Sequence, residues 1–295
     1  VLGDKVNFID EIDTDLRRLI EHDFGPLSSA PLTDRQVLDW LHYRARLIPR
    51  RPRQVKVSQQ VAAQIANYPT ISRLKELFRT GGDVSPWLSD RVRKRKDDPF
   101  ADLMFNDWQI SHFHLGNVFV SQDKVGPRPK GEMLLFALVK AEHVTFIDLH
   151  QHGAWTAQQI LRVLLQTSPK DIPEMKGILA TQRGGYTDEE LLLLRKSGMT
   201  APLQLDGKFF LPPGCGLSSS GHATRLAQAF QNLKKNVYDL RLRVKQNALP
   251  LKLLRQMAIV TFIPPRLGIK LRDDGCLHLY EKNRALDLFV APPLA

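Results

Sequence analysis

The chain has 295 residues, a formal net charge of +11, 43% hydrophobic and 25% charged residues, and two cysteines. This composition excludes wholesale disorder, and the length allows two domains or one large one. The longest unbroken apolar run, Met133–Val139, is too short to span a bilayer, and Cys215 and Cys276 are too few for a disulfide framework or a Cys-rich zinc site.

A reducing, cytoplasmic setting without a membrane partner is the expectation, and the opening residues do not read as a secretory signal. Asp4 to Phe24 reads as an amphipathic helix with Phe8, Ile12, Leu16, Leu19 and Ile20 on one stripe, broken by Gly25-Pro26. Thr33-Asp34-Arg35-Gln36 is a capping-box pattern starting a second helix, through about Leu47. Two prolines then leave Arg44–Lys56, including Arg50, Arg51 and Arg53, on an extended segment, where the planar guanidinium fork suits phosphate oxygens. Ser58 caps a helix to about Asn67, Pro69 starts another that stops at Gly81-Gly82, and Ser85-Pro86 opens a short one ending in the basic run Arg91–Lys96. Two basic clusters in the first hundred residues favour a nucleic-acid partner over a merely solvated face.

Residues 106–155 carry five of the nine histidines, four of them in two His-x-His pairs. A strand over Ile110–Leu115 puts His112 and His114 on one face and Phe113 and Leu115 on the other, because side chains alternate. A basic Pro/Gly-rich loop, with Arg128 and Lys130, leads to strands Met133–Lys140 and Val144–His150. Alternation there groups Asp148, His150 and His152, with Ile147 and Leu149 opposite. If the apolar sets face one core, the imidazoles converge on the other side of the sheet.

A helix follows from Thr156 to Gln166, and Thr187-Asp188-Glu189-Glu190 is a second capping box, opening Leu191–Lys196. Pro202–Phe210 reads as a hairpin turning on Asp206-Gly207. Pro212–His222 is a Gly/Ser loop before a long helix to about Asn247; it can be an ordinary cap and turn or hold an anion on free N–H groups. Ala258–Ile263 and the pairs around Asp273-Asp274-Gly275 and Glu281-Lys282-Asn283 read as closing strands.

Three uses of the four histidines stay open. Imidazoles can act as acid and base on a phosphodiester, one taking the ribose 2′-hydroxyl proton and another protonating the leaving 5′-oxygen, with Arg128 and Lys130 balancing transition-state charge. The two His-x-His pairs can bind a metal, completed by Asp107 or Asp148. Or the rings can serve the fold alone. Trp108 and Trp155 read first as packing residues.

The order of a polar strand with histidines (Asn106–Gly116), a basic loop, Leu134–Val139, Val144–Leu149 and then His152-Gly153-Ala154-Trp155 resembles the C-terminal half of the RelE/ParE toxin fold. The likeness is greatest to its histidine-using YafQ-type branch. That resemblance implies a small sheet with helices on one side and a metal-independent mRNA endonuclease without cofactor. It makes His112 or His114 the strand histidine, Asp107 its acidic neighbour, and His152 with Trp155 the closing pair. Ribosome-associated mRNA and an antitoxin are the partners it implies.

The expectation is therefore an α+β protein in three stretches. Residues 1–100 form a helical, basic region, 101–170 a small antiparallel sheet bearing the histidines with helices on one side, and 171–295 an α+β region. The expected function is a metal-independent endoribonuclease, a toxin or phage-defence effector. Its catalytic residues are His112, His114, His150, His152 and Asp107, and Arg50, Arg51, Arg53, Arg128, Lys130 and Trp155 hold RNA. The alternatives are a non-catalytic nucleic-acid- or protein-binding module and a metal-dependent hydrolase built on the His-x-His pairs.

Overall fold

The computed structural model describes residues 8–89, 92, 102–116, 118–121, 127–130, 133–154, 156–178, 185–218, 221–246, 248, 264–273 and 275–290, with the backbone alone for 118–121 and 127–130. The expected strand Ala258–Ile263 and all but Val92 of the basic run Arg91–Lys96 lie outside the described residues.

A short strand β1 (Ile9–Asp10) leads into helices α1 (Ile12–Phe24) and α2 (Asp34–Arg46). The capping box forms as expected: Gln36 N–H donates to Thr33 Oγ1 (3.2 Å) and Thr33 N–H to Gln36 Oε1 (2.8 Å). Strand β2 (Gln54–Val57) precedes α3 (Gln59–Ala62), whose Val61 N–H donates to the Ser58 hydroxyl (3.1 Å), and α4 (Pro69–Thr80). After a 3-10 turn at Ser85–Trp87 come α5 (Leu103–Trp108), β3 (Ile110–His114), a ribbon of β4 (Val118–Ser121) and β5 (Pro127–Lys130), β6 (Met133–Val139) and β7 (His143–Gln151). Next are α6 (Gln158–Thr167), β8 (Glu174–Met175), α7 (Asp188–Lys196), β9 (Leu203–Leu205) and β10 (Lys208–Phe210). Thr187 and Glu190 close the second capping box, and β9 and β10 turn on Asp206 and Gly207, both at positive φ. Helix α8 (Thr224–Lys245) and strands β11 (Arg266–Leu271), β12 (Leu277–Glu281) and β13 (Leu286–Val290) follow.

The fold is α+β, in two compact units that cut the chain differently from the stretches 1–100, 101–170 and 171–295. Unit 1 joins both ends of the chain, residues 1–44 and 226–294. Its sheet runs β1-β11-β12-β13, with β1 parallel to β11 and the other pairs antiparallel. The helix expected from Asp4 therefore starts at Ile12: Ile9 and Asp10 take strand geometry because their backbone pairs with Arg266 and Leu267. Buried Asp23 ties α1 to α2, accepting from Trp40 Nε1 (2.7 Å) and Arg44 Nη2 (2.7 Å).

Unit 2 spans residues 45–225 around the sheet β2-β7-β6-β3. This sheet is mixed rather than antiparallel, because Gln54–Val57, expected as an extended phosphate-facing segment, pairs parallel with His143–Phe146. Both faces are covered, not one. On one face Ile110, Leu134, Phe136, Leu138 and Ile147 pack against Ile160, Leu161, Val163 and Leu164 of α6. On the other, Phe113, Leu135, Ala137, Val144 and Phe146 pack against Val61 of α3, Ile71, Leu74 and Phe78 of α4, and Trp87. Among the described residues, no helix is long and apolar enough to cross a membrane.

Candidate active site

A β-bulge decides where the histidines lie. In the β6–β7 ladder Ala137 pairs with Phe146 but Phe136 pairs with Asp148, so Ile147 is the extra residue. Strict alternation from Phe146, which packs toward α4, would send Asp148 and His150 to that same face. The bulge reverses the phase. Ile147 consequently joins the α6 side, where a position opposite Asp148 was expected, while Leu149 packs with the α4 side.

The α6 side of the sheet then reads in rows. His114 pairs with Leu134, which pairs with His150; His112 pairs with Phe136, which pairs with Asp148; Ile110 pairs with Leu138, which pairs with Thr145. One end of the face is thus apolar core and the other carries imidazoles and a carboxylate. Adjacent strands are about 4.8 Å apart, which puts the backbones of His114 and His150 roughly 10 Å from each other across β6.

The rings form a series leading outward. Asp102, the N-cap of α5, accepts from Phe105 N–H (3.1 Å) and Arg46 Nη2 (3.0 Å), and its Oδ2 lies 3.3 Å from His112 Nδ1. The His112 ring is 5.9 Å from that of His114, which is 5.2 Å from that of His152. Asp102, His112 and His114 are buried, whereas His152, in the turn after β7, is exposed. Beside this series His150 Nε2 lies 3.0 Å from Asp148 Oδ2, and Phe136 separates the two dyads, 6.1 Å from His112 and 5.9 Å from His150. Burial raises the Asp102 carboxyl, but His112, Arg46 and the Phe105 N–H more than offset this and hold it below the usual carboxylate range.

Asp107 is not part of this series. It is buried, and its carboxylate pairs with the Arg195 guanidinium, which also donates to Thr200 Oγ1 (3.1 Å). Burial pushes the Asp107 carboxyl up to about 7, against the pull of Arg195. Gly214 N–H donates to the Asp107 carbonyl (2.8 Å), and a Cβ on Gly214 would stand 1.7 Å from the Asn106 carbonyl oxygen. The Gly-rich loop is therefore glycine here because it must pass close against the end of α5, which accounts for it without a bound anion.

The basic segment lies elsewhere. Gln54 pairs with His143, seven residues before His150, so at about 3.3 Å per residue it starts more than roughly 20 Å from the histidine row. Arg53 is buried, its guanidinium donating to the carbonyls of Lys140 (2.9 Å), Pro49 (3.0 Å) and Arg51 (3.2 Å). Burial lowers it to about 10, with Arg51 adding to the effect. Arg44 and Arg46 are spent on Asp23 and Asp102, and exposed Arg50 pairs with Asp83. Arg51 is half-buried against the Gly81 turn. Within the fold Arg53 is held by three carbonyls and Arg50 pairs with Asp83, and none of Arg50, Arg51 and Arg53 joins the histidines.

Arg128 and Lys130 sit on β5, which pairs with β4 in a two-stranded ribbon of its own, three to five residues before Met133. Their side chains, and Trp155, lie outside the described residues. Among the described residues no group of three or more His, Cys, Asp or Glu side chains is placed to hold a metal ion. The residues missed from sequence were Asp102 and Arg46. Asp102 three positions before Phe105 is a readable N-cap, but a partner 56 residues away leaves no local signal.

In comparisons with protein-family models, curated proteins and solved structures, nothing matches this chain.

Proposed function

We propose that unit 2 cleaves RNA phosphodiesters by histidine acid–base chemistry. The observation carrying the reading is the run of rings from buried Asp102 through His112 and His114 to exposed His152, alongside the Asp148–His150 dyad. Acid–base cleavage of RNA needs two proton-transfer groups at one phosphate, at least one held by a partner. His152 is exposed and His150 half-buried, so these two meet substrate. One takes the proton from the 2′-hydroxyl as its oxygen attacks phosphorus. The other protonates the departing 5′-oxygen, leaving a 2′,3′-cyclic phosphate and a 5′-hydroxyl. Asp148 orients His150, and His114, backed by the His112–Asp102 pair, seats His152. Arg128 and Lys130 supply positive charge for the crowded phosphate oxygens.

The resemblance of residues 106–155 to the YafQ-type branch supports the same chemistry, with ribosome-bound mRNA as a substrate and an antitoxin as a partner. A content of two cysteines in 295 residues suits a cytoplasmic effector of the toxin or phage-defence kind. The test is incubation of the full chain with single-stranded RNA in EDTA, comparing wild type with His150→Ala, His152→Ala and His114→Ala. Each substitution is expected to lower cleavage by about 10²-fold or more. An inert wild type, or undiminished cleavage by both His150→Ala and His152→Ala, contradicts the proposal.

A further inference from the structure

Unit 1 carries a half-open cleft of about 490 Å³ between α1, the loop at Pro31–Leu32, α8 and β11. Its floor is apolar: Leu16, Phe230, Leu233 and Ile269 line it, and all four are buried in the fold. The volume lies within the roughly 300–1,000 Å³ typical of small-molecule sites, which combine an apolar lining with a few polar groups.

The rim says what charge that molecule carries. Lys234 Nζ pairs with Asp34 Oδ2 (2.7 Å), and Arg241 pairs with Asp13 (3.0 Å) and Asp10 (2.6 Å). Arg17 donates to the carbonyls of Ser28 (2.8 Å) and Ala30. Arg17 also pairs with Glu21 (3.6 Å), so among the described residues every cation on the rim already has an anionic partner and an ionic ligand would shed water without gaining a counter-charge. Among the described residues the uncharged polar groups on the wall are the hydroxyls of Thr14 and of Tyr238, which is 65% exposed.

We propose that unit 1 binds a neutral, largely apolar small molecule in this cavity, anchored by one hydrogen bond from Thr14 or Tyr238. The proposal does not depend on RNA cleavage by unit 2. It is tested by titrating the full chain with the neutral dye N-phenyl-1-naphthylamine and, in parallel, the anionic 1-anilinonaphthalene-8-sulfonate, with hydrogen exchange mapping the protected segments. The neutral dye is expected to saturate one site, to bind at least tenfold more tightly than the anionic dye, and to protect α1 and α8. Val237→Trp, which fills the cavity from a half-buried position, is expected to lower affinity at least tenfold with native circular dichroism; if it does not fold, Leu32→Trp fills the space from the loop. No saturable binding, equal affinity for the anionic dye, undiminished binding by the filled variant, or protection elsewhere overturns the proposal. Sedimentation showing a wild-type dimer that the filled variant loses would assign the cavity to a second copy, and overturns it equally.

Discussion

Asp107→Asn isolates the cost of the buried Asp107–Arg195 contact. Burial raises the Asp107 carboxyl from 3.8 to about 7 in the folded chain, Arg195 opposing and Asp102 adding to the rise. A folded value above the unfolded one means that folding takes up a proton. The contribution is fully present below about pH 4, falls away as pH rises toward 7, and is gone above that. About three pH units at about 1.4 kcal/mol each makes the whole effect on the order of 4 kcal/mol, and roughly 3 kcal/mol of it falls between pH 5 and 7.5. Asparagine keeps the shape and still accepts from Arg195, but it cannot ionise. Native-state hydrogen exchange of the buried amides in β3 and β6, corrected for intrinsic rates at each pH, reads the opening of unit 2 separately from unit 1. Wild type is expected to lose roughly 3 kcal/mol between pH 5 and 7.5, while Asp107→Asn stays level and matches wild type at pH 5. If the variant is instead weaker by about 3 kcal/mol or more at every pH above 5, the ion pair outweighs its burial cost and the reasoning is refuted.

Other consequences concern the same unit. Asp102 has the opposite sign: held below the usual range, it gives stability that is present above about pH 4 and is lost as pH falls below that. Asp102→Ala, which removes a buried carboxylate from Arg46 and His112, is expected to cost about 3–5 kcal/mol by the same exchange measurement. Ile147→Val keeps the bulge and is expected to cost about 0.5–1.5 kcal/mol. Deleting Ile147 makes Asp148 the next residue after Phe146, so plain alternation keeps Asp148 and His150 on the α6 side; the expected cost is the lost Ile147 packing, about 2–5 kcal/mol by the same exchange measurement. Gly214→Ala collides with the Asn106 carbonyl and is expected to cost about 1–3 kcal/mol or more. Gly207→Ala, at φ +78° in open space, is expected to cost only about 1–2 kcal/mol in a thermal melt.

What the sequence made legible was local. The capping boxes at Thr33 and Thr187, the Asp206-Gly207 hairpin and the apolar runs of β6 and β7 are written within a few residues of where they act. Histidine pairing on one face was legible too, since His112 and His114 need only alternation. The rest depends on partners far along the chain. Ile9–Asp10 and Gln54–Val57 become strands only because Arg266–Leu267 and His143–Phe146 lie alongside. The bulge at Ile147 is a mismatch between two strands, visible in neither alone. Composition likewise does not reveal that Asp23, Asp83, Asp102 and the Lys140 carbonyl engage Arg44, Arg50, Arg46 and Arg53.

The most direct measurement is single-turnover cleavage, in EDTA, of an RNA oligonucleotide beside the same strand carrying 2′-O-methyl groups throughout. Wild type is expected to convert the first into fragments ending in 2′,3′-cyclic phosphate along a bell-shaped rate–pH profile, to leave the second intact, and to lose one limb of the bell in His152→Ala. Cleavage of the methylated strand, or a His152→Ala variant with the wild-type rate and profile, would contradict the assignment of acid–base chemistry to this face of the sheet.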